Sequence, residues 1–80
     1  MNKSTTTGKA ALPSTEILAI AQADALRAYR DLSPYCIRLA LEADGWHVDF
    51  DLQNPKLTGG GPRYIIDSHT GAILSKKYYQ

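Results

Sequence analysis

The chain has one cysteine, Cys36, in 80 residues. A single thiol closes no internal disulfide, which excludes a stapled secreted mini-protein and suits a reducing compartment, so the expected location is cytoplasmic. Charge of one sign is also missing. Nine Lys plus Arg against eight Asp plus Glu leave a net +1, so no strong field points at DNA, RNA or anionic lipid. No apolar run approaches the roughly 18 residues of a membrane span. The segment from Met1 to Ala11 carries only Lys3 and Lys9 around a Ser/Thr cluster and lacks the apolar stretch of a signal peptide. Neither nucleic acid nor membrane is therefore an expected partner. A chain this short makes one domain, which excludes architectures with separate cofactor and substrate halves. The 44% hydrophobic share can form a core, but a domain of this size buries only about 60% of its unfolded surface, so a partner can matter for stability.

Residues 1–12, with Thr5, Thr6, Thr7 and Gly8 in a row, bury too little to offset the entropy of ordering and read as a disordered lead. Residues 13–80 read as a single domain. Ser14 has the chemistry of a helix cap and Glu16 puts a carboxylate in the first turn, so a helix is predicted over 14–32. Ile17, Ala21, Ala25, Ala28 and Leu32, flanked by Ile20 and Tyr29, share one face at about 100° per residue. Ser33-Pro34 ends the helix, because the residue before proline disfavours the α region.

From Tyr35 the period becomes two. Tyr35, Ile37, Leu39 and Leu41 alternate with Cys36, Arg38, Ala40 and Glu42, then Trp46, Val48, Phe50 and Leu52 alternate with His47, Asp49 and Asp51. Asp44-Gly45 between them is hairpin chemistry. That turn would set Leu41 against Val48, Leu39 against Phe50 and Ile37 against Leu52, with Glu42–His47, Ala40–Asp49 and Arg38–Asp51 on the other side. A loop of about ten residues, 53–62, holds Asn54-Pro55 and Gly59-Gly60-Gly61-Pro62. A third strand is predicted over 63–67 and a fourth over 72–78. They are joined by a turn in which the Asp67 carboxylate bonds following N–H groups and Gly71 takes a left-handed conformation. Ile66 should face Ile73 and Ile65 should face Leu74, leaving an apolar pair on the side away from the core. The fold class is thus α+β: an N-terminal amphipathic helix on a four-stranded antiparallel meander, with Ile17, Ala21, Ala28, Leu39, Leu41, Val48 and Phe50 in the core.

Gly59, Gly60 and Gly61 could present an anion nest with Arg63 beside it. The Gly-Lys-Ser/Thr ending of a phosphate-binding Walker loop is absent, so a tight bend before the third strand is the favoured reading and contact with a protein the second. His47, Asp49 and Asp51 share a strand face and His69 sits on a turn, but carboxylates at spacing two are a weak metal signal. No nucleophile–base–orienter arrangement is visible, and Cys36 has no histidine near it in sequence. No enzyme activity, metal or cofactor is expected. Trp46 at a strand start reads first as core, and as an interface anchor if exposed. Glu42, Asp44, Asp49 and Asp51 form the densest acidic group, partly offset by Arg38; its plainer reading is a solvated strand face.

The stretch Trp46-x-Val48-x-Phe50, Pro55, Gly59-Gly60-Gly61-Pro62-x-Tyr64-Ile65-Ile66-Asp67-x-x-Thr70-Gly71-x-Ile73, closing on Tyr78 and Tyr79, resembles the bacterial NTF2-fold immunity proteins, over about residues 14 to 80. Gly-Gly-Gly-Pro followed by Tyr-x-Ile-Asp is its most specific part. The Asp-x-x-Thr-Gly turn also occurs in PepSY-type modules. The resemblance implies a partial NTF2-like or cystatin-like cone and a non-catalytic protein that neutralises a toxin delivered by neighbouring bacteria through contact-dependent or type VI routes. On that reading the acidic strand face would fill the basic groove of a nucleic-acid-cleaving toxin. Glu42, Asp44, Trp46, His47, Asp49, Asp51, Gly59, Gly60, Gly61 and Arg63 are the expected partner-binding residues. Two alternatives stay open: a PepSY-like regulatory module, and a homo-oligomer, such as a homodimer, built on the Ile65/Leu74 face.

Overall fold

Pro13 starts the helix. Its backbone is extended (φ −68°, ψ 155°) and its carbonyl accepts the N–H groups of Glu16 and Ile17 at 3.0 and 3.2 Å, with no side-chain cap. Ser14, expected as the cap, is instead the first helical residue of α1 (Ser14–Ala28). The helix stops four residues before 32. Tyr29 turns extended, and its ring packs edge-on against Tyr35 and Tyr78 at centroid distances of 6.0 and 5.9 Å. The Asp31 carboxylate accepts both the N–H and the hydroxyl of Ser33, a local bond that competes with the helix.

In the computed structural model, which describes residues 11–54 and 60–78, the remaining elements are β1 (Tyr35–Glu42), β2 (Gly45–Leu52), β3 (Arg63–Ile66) and β4 (Ile73–Lys77). They form one antiparallel sheet in the order β1-β2-β3-β4, and α1 crosses one face of it. The expected α+β class, one helix on a four-stranded meander, is the observed one. No helix among the described residues is long and apolar enough to cross a membrane. Residues 1–10 of the expected lead lie outside the described residues. Leu12, assigned to that lead, packs on the core and donates its N–H to Ser68 O at 2.7 Å.

The core joins Ile17, Ala21 and Ala25 of α1 to Val48, Phe50, Tyr64 and Ile66 of β2 and β3, each no more than 2% exposed. Leu39 is half-buried, while Ala28 and Leu41, both expected inside, are exposed. Ala28 is the last helical residue. Leu41 lies at the hairpin end of an edge strand whose burial falls along its length, and it is 57% exposed.

The β1–β2 hairpin closes on Glu42 opposite Gly45, so the turn is Ala43-Asp44 and the pairs are Leu41–Trp46, Leu39–Val48 and Ile37–Phe50. This is two residues away from the expected register. A slip of two leaves every side chain on its expected face, because strand side chains repeat with period two. Gly45 is inside β2 for a steric reason. Its φ is +134°, and a Cβ there would sit 2.6 Å from Ile66 O of the neighbouring strand.

Phe50 donates its N–H to Pro62 O at 3.1 Å. Proline has no N–H to return, and Gly61 supplies it, donating to Phe50 O at 2.8 Å. The chain passes so close here that a Cβ on Gly61 would lie 2.7 Å from Phe50 Cβ and 2.9 Å from Tyr35 Cε1. Beyond β3, Asp67 Oδ1 accepts the N–H groups of His69 and Thr70 at 2.8 and 2.9 Å, and Gly71 takes φ +78°, as the turn chemistry predicts. Ile66 faces Ile73, but Ile65 faces Ser75 in place of Leu74, because the register shifts between Ile65 and Ile66. The expected Ile65–Leu74 pair is absent, and Leu74 is 55% exposed.

Candidate functional site

Alternation places side chains from all four strands on the face turned away from α1. Arg38, Ala40 and Glu42 of β1 lie beside His47, Asp49 and Asp51 of β2, followed by Arg63 and Ile65 of β3 and Ser75 and Lys77 of β4. Arg38, Asp49, Arg63 and Lys77 are successive partners in one row across the sheet. Arg63 sits between the aspartates, its Nη1 3.2 Å from Asp49 Oδ1 and its Nη2 3.2 Å from Asp51 Oδ1, while Arg38 Nε reaches Asp51 Oδ2 at 2.9 Å. Next to this net, an open depression of about 270 Å³ is lined by His47, Asp49, Arg63, Tyr64, Ile65, Ser75 and Lys77.

The acidic residues thus do not form one patch. Asp49 and Asp51 belong to the arginine net. Asp44, in the turn, bonds His47 Nε2 at 2.7 Å, and that bond lowers the Asp44 pKa and raises the His47 pKa above its ordinary 6.5. Glu42 stands exposed at the hairpin end, opposite Gly45. The surface alternates in sign, in contrast to the acidic strand face expected from the sequence. In sequence Arg63 stands beside a glycine nest; its place between Asp49 and Asp51 depends on the β2–β3 register. Matching the inner apolar residues Trp46 and Val48 with Ile66 and Tyr64 would have supplied that register.

Gly59 lies outside the described residues. Gly60 is half-buried, and the Gly61 N–H is held by Phe50 O, so that amide is not presented to an anion. No group of three or more His, Cys, Asp or Glu side chains that could hold a metal ion occurs among the described residues. Trp46 faces the helix side, half-buried opposite Leu41 and Ile66, and its Nε1 is buried with no acceptor among the described residues. Cys36 is exposed.

A second cluster lies on the helix side and was not visible in the sequence. Asp24 of α1, 11% exposed, accepts Tyr64 OH at 2.9 Å and Tyr78 OH at 2.6 Å on Oδ2, and Lys76 Nζ at 3.1 Å on Oδ1. The Tyr78 hydroxyl foremost, with Tyr64 and Lys76, holds the Asp24 carboxyl below its ordinary 3.8, against the opposing effect of burial. Burial first, and then Asp24, push the Tyr64 hydroxyl far above its ordinary range, and the bond to Asp24 raises Lys76. These partners are 40 to 54 residues from Asp24, so no local pattern announces them. Rings of Tyr64, Phe50, Tyr35, Tyr29 and Tyr78 continue the seam, edge to face, at 5.9–6.5 Å. With three donors on one carboxylate, the cluster ties α1 to the last two strands.

No family model matches the chain, and no curated protein or solved structure matches it.

Proposed function

We propose that the protein is a non-catalytic binding module that occludes another protein stoichiometrically, with the outer face of its sheet as the contact surface. The observation that carries this reading is the Arg38–Asp51–Arg63–Asp49 net, held on three adjacent strands of a sheet face that no element among the described residues covers. Charges fixed by one another on a rigid sheet lose little freedom when they meet a partner, and their pattern gives specificity and register. Alternating signs favour a partner that also presents both signs, over a uniformly basic groove. A contact of ordinary size would cover about 800 Å² on each side, centred on the depression by Arg63.

The kind of partner follows from the resemblance to NTF2-fold immunity proteins: a bacterial toxin, neutralised in the cytoplasm by steric and electrostatic occlusion. The test is to read the neighbouring reading frames and co-express the protein with any toxin domain they encode. Wild-type protein should rescue growth and form a 1:1 complex. Arg63→Glu, which sets a third carboxylate between Asp49 and Asp51, should weaken the complex about tenfold or more with the circular-dichroism spectrum retained. Failure of the wild type to rescue or bind would overturn the immunity reading, and an unaffected Arg63→Glu complex would move the contact to another surface.

A further inference from the structure

The sheet has two edges, and they are built differently. β4 is five residues long, pairs with β3 through a register shift, carries Lys76 and Lys77, and is tied to α1 through Asp24. Short length, irregularity and lysine are the usual ways of protecting an edge. β1 has none of them. It is eight residues long, without lysine or proline, in continuous register with β2.

The backbone phase of β1 is set by its first residues. Pro34 C=O accepts the Gln53 N–H at 2.9 Å, whereas Tyr35 sends its N–H to Leu32 O and accepts Gln53 Nε2 on its carbonyl. Antiparallel strands alternate in this way, so even-numbered residues bond β2 and the N–H and C=O groups of Ile37, Leu39 and Leu41 point outward. Among the described residues these outward groups meet no partner. Beside them stand Leu41, 57% exposed, and Arg38, 72% exposed, which bonds Asp51 through Nε alone.

We propose that β1 pairs antiparallel with β1 of a second copy about a two-fold axis through Ala40, joining two four-stranded sheets into one. The sequence of the edge is self-complementary in this register. Leu39 meets Leu41 of the second copy twice, through their outward backbone groups, covering the exposed leucines. On the outer face Arg38 meets Glu42 of the second copy twice, and the Glu42 side chain, whose backbone pairs with Gly45, makes no hydrogen bond or ion pair among the described residues. An axis through Leu39 would put Arg38 against Ala40, and one through Leu41 would put Glu42 against Ala40, so only the Ala40 axis joins Arg38 to Glu42. The contact leaves Asp49, Asp51 and Arg63 uncovered and shares only Arg38 with the proposed partner surface.

Sedimentation of the full chain from micromolar to millimolar concentration should show a monomer–dimer equilibrium. Glu42→Arg, which opposes two arginines at each end, should weaken it about tenfold or more, and the exchange Arg38→Glu with Glu42→Arg should recover part of that loss, the removed Arg38–Asp51 pair limiting the recovery. In a Cys36→Ser background, Ala40→Cys should form an intermolecular disulfide on mild oxidation. The two Ala40 residues would be a non-hydrogen-bonded pair with Cα atoms about 4.5 Å apart, within disulfide reach. Ser75→Cys on β4 should not cross-link. A wild type that stays monomeric throughout would overturn the proposal. So would a dimer that ignores Glu42→Arg and leaves Ala40→Cys reduced.

Discussion

Asp24 and the pair Asp49/Asp51 use the same chemistry on opposite sides of one sheet. Each set gathers cationic or hydroxyl donors from strands distant in sequence. Asp24 is 11% exposed and draws Tyr64, Lys76 and Tyr78 onto the helix. Asp49 and Asp51 are 29% and 26% exposed, and their arginine partners are 39% and 72% exposed. What separates them is water. Lys76 and Tyr78 are themselves 47% and 41% exposed, so it is the nearly buried Asp24 carboxylate with the buried Tyr64 hydroxyl that fixes the fold, whereas the more exposed aspartates of the net contribute little to folding and remain available for recognition.

The largest effect that can break this comparison is loss of the seam. Asp24→Ala leaves the buried Tyr64 hydroxyl without its acceptor and removes the anchors of Lys76 and Tyr78. The expected cost is about 2–3 kcal/mol of unfolding free energy in urea, with the β4 amides losing hydrogen-exchange protection first. A cost near that of an exposed salt bridge would mean that the seam does not hold the helix.

Acid should sharpen the same contrast. Because the folded Asp24 pKa lies below its ordinary 3.8, the carboxylate contributes stability that is fully present above the unfolded value and is lost as pH falls through the folded value. Asp67, Asp31 and Asp44 are lowered too, chiefly by the Thr70 backbone N–H, the Ser33 backbone N–H and the His47 side chain respectively. Wild-type stability should therefore decline below pH 3.8, and Asp24→Asn should decline less steeply over that window. Parallel profiles for the two proteins would show that Asp24 does not carry its share.

Much of this architecture was legible in the sequence, and what was not has physical reasons. Period-two alternation from Tyr35 to Leu52 gave the faces correctly even though the turn sits at Ala43-Asp44, because an even slip preserves them. Gly45 looked like a turn residue, but what demands glycine is the carbonyl of Ile66 on β3, the neighbouring strand. The helix end was misplaced because Tyr29 answers to Tyr35 and Tyr78, and Asp31 to Ser33. Of the candidate site, Asp49 and Asp51 were readable as neighbours on one strand. Arg63 between them was not readable from either strand alone, since it follows only once the inner residues Trp46 and Val48 are matched with Ile66 and Tyr64 across the 53–62 loop. Asp24 was the hardest to see, a polar residue beside a stripe of small ones whose partners all arrive from the other end of the chain.

The smallest effect should come from the outer face. Replacing Asp49 and Asp51 together by alanine removes three ion pairs, yet each is open to solvent, the arginines can be rehydrated, and long side chains regain rotamer freedom. The expected loss is about 1 kcal/mol or less in total, visible as a small shift of the urea midpoint with an unchanged slope. Beta propensity acts in the same direction on both positions and is weak, since aspartate and alanine are both poor strand residues. A loss as large as that of Asp24→Ala would make the net a structural element and dissolve the contrast. If the loss is small and partner affinity nevertheless falls about tenfold or more, the two aspartate clusters divide cleanly, one holding the helix to its sheet and the other facing outward for another protein.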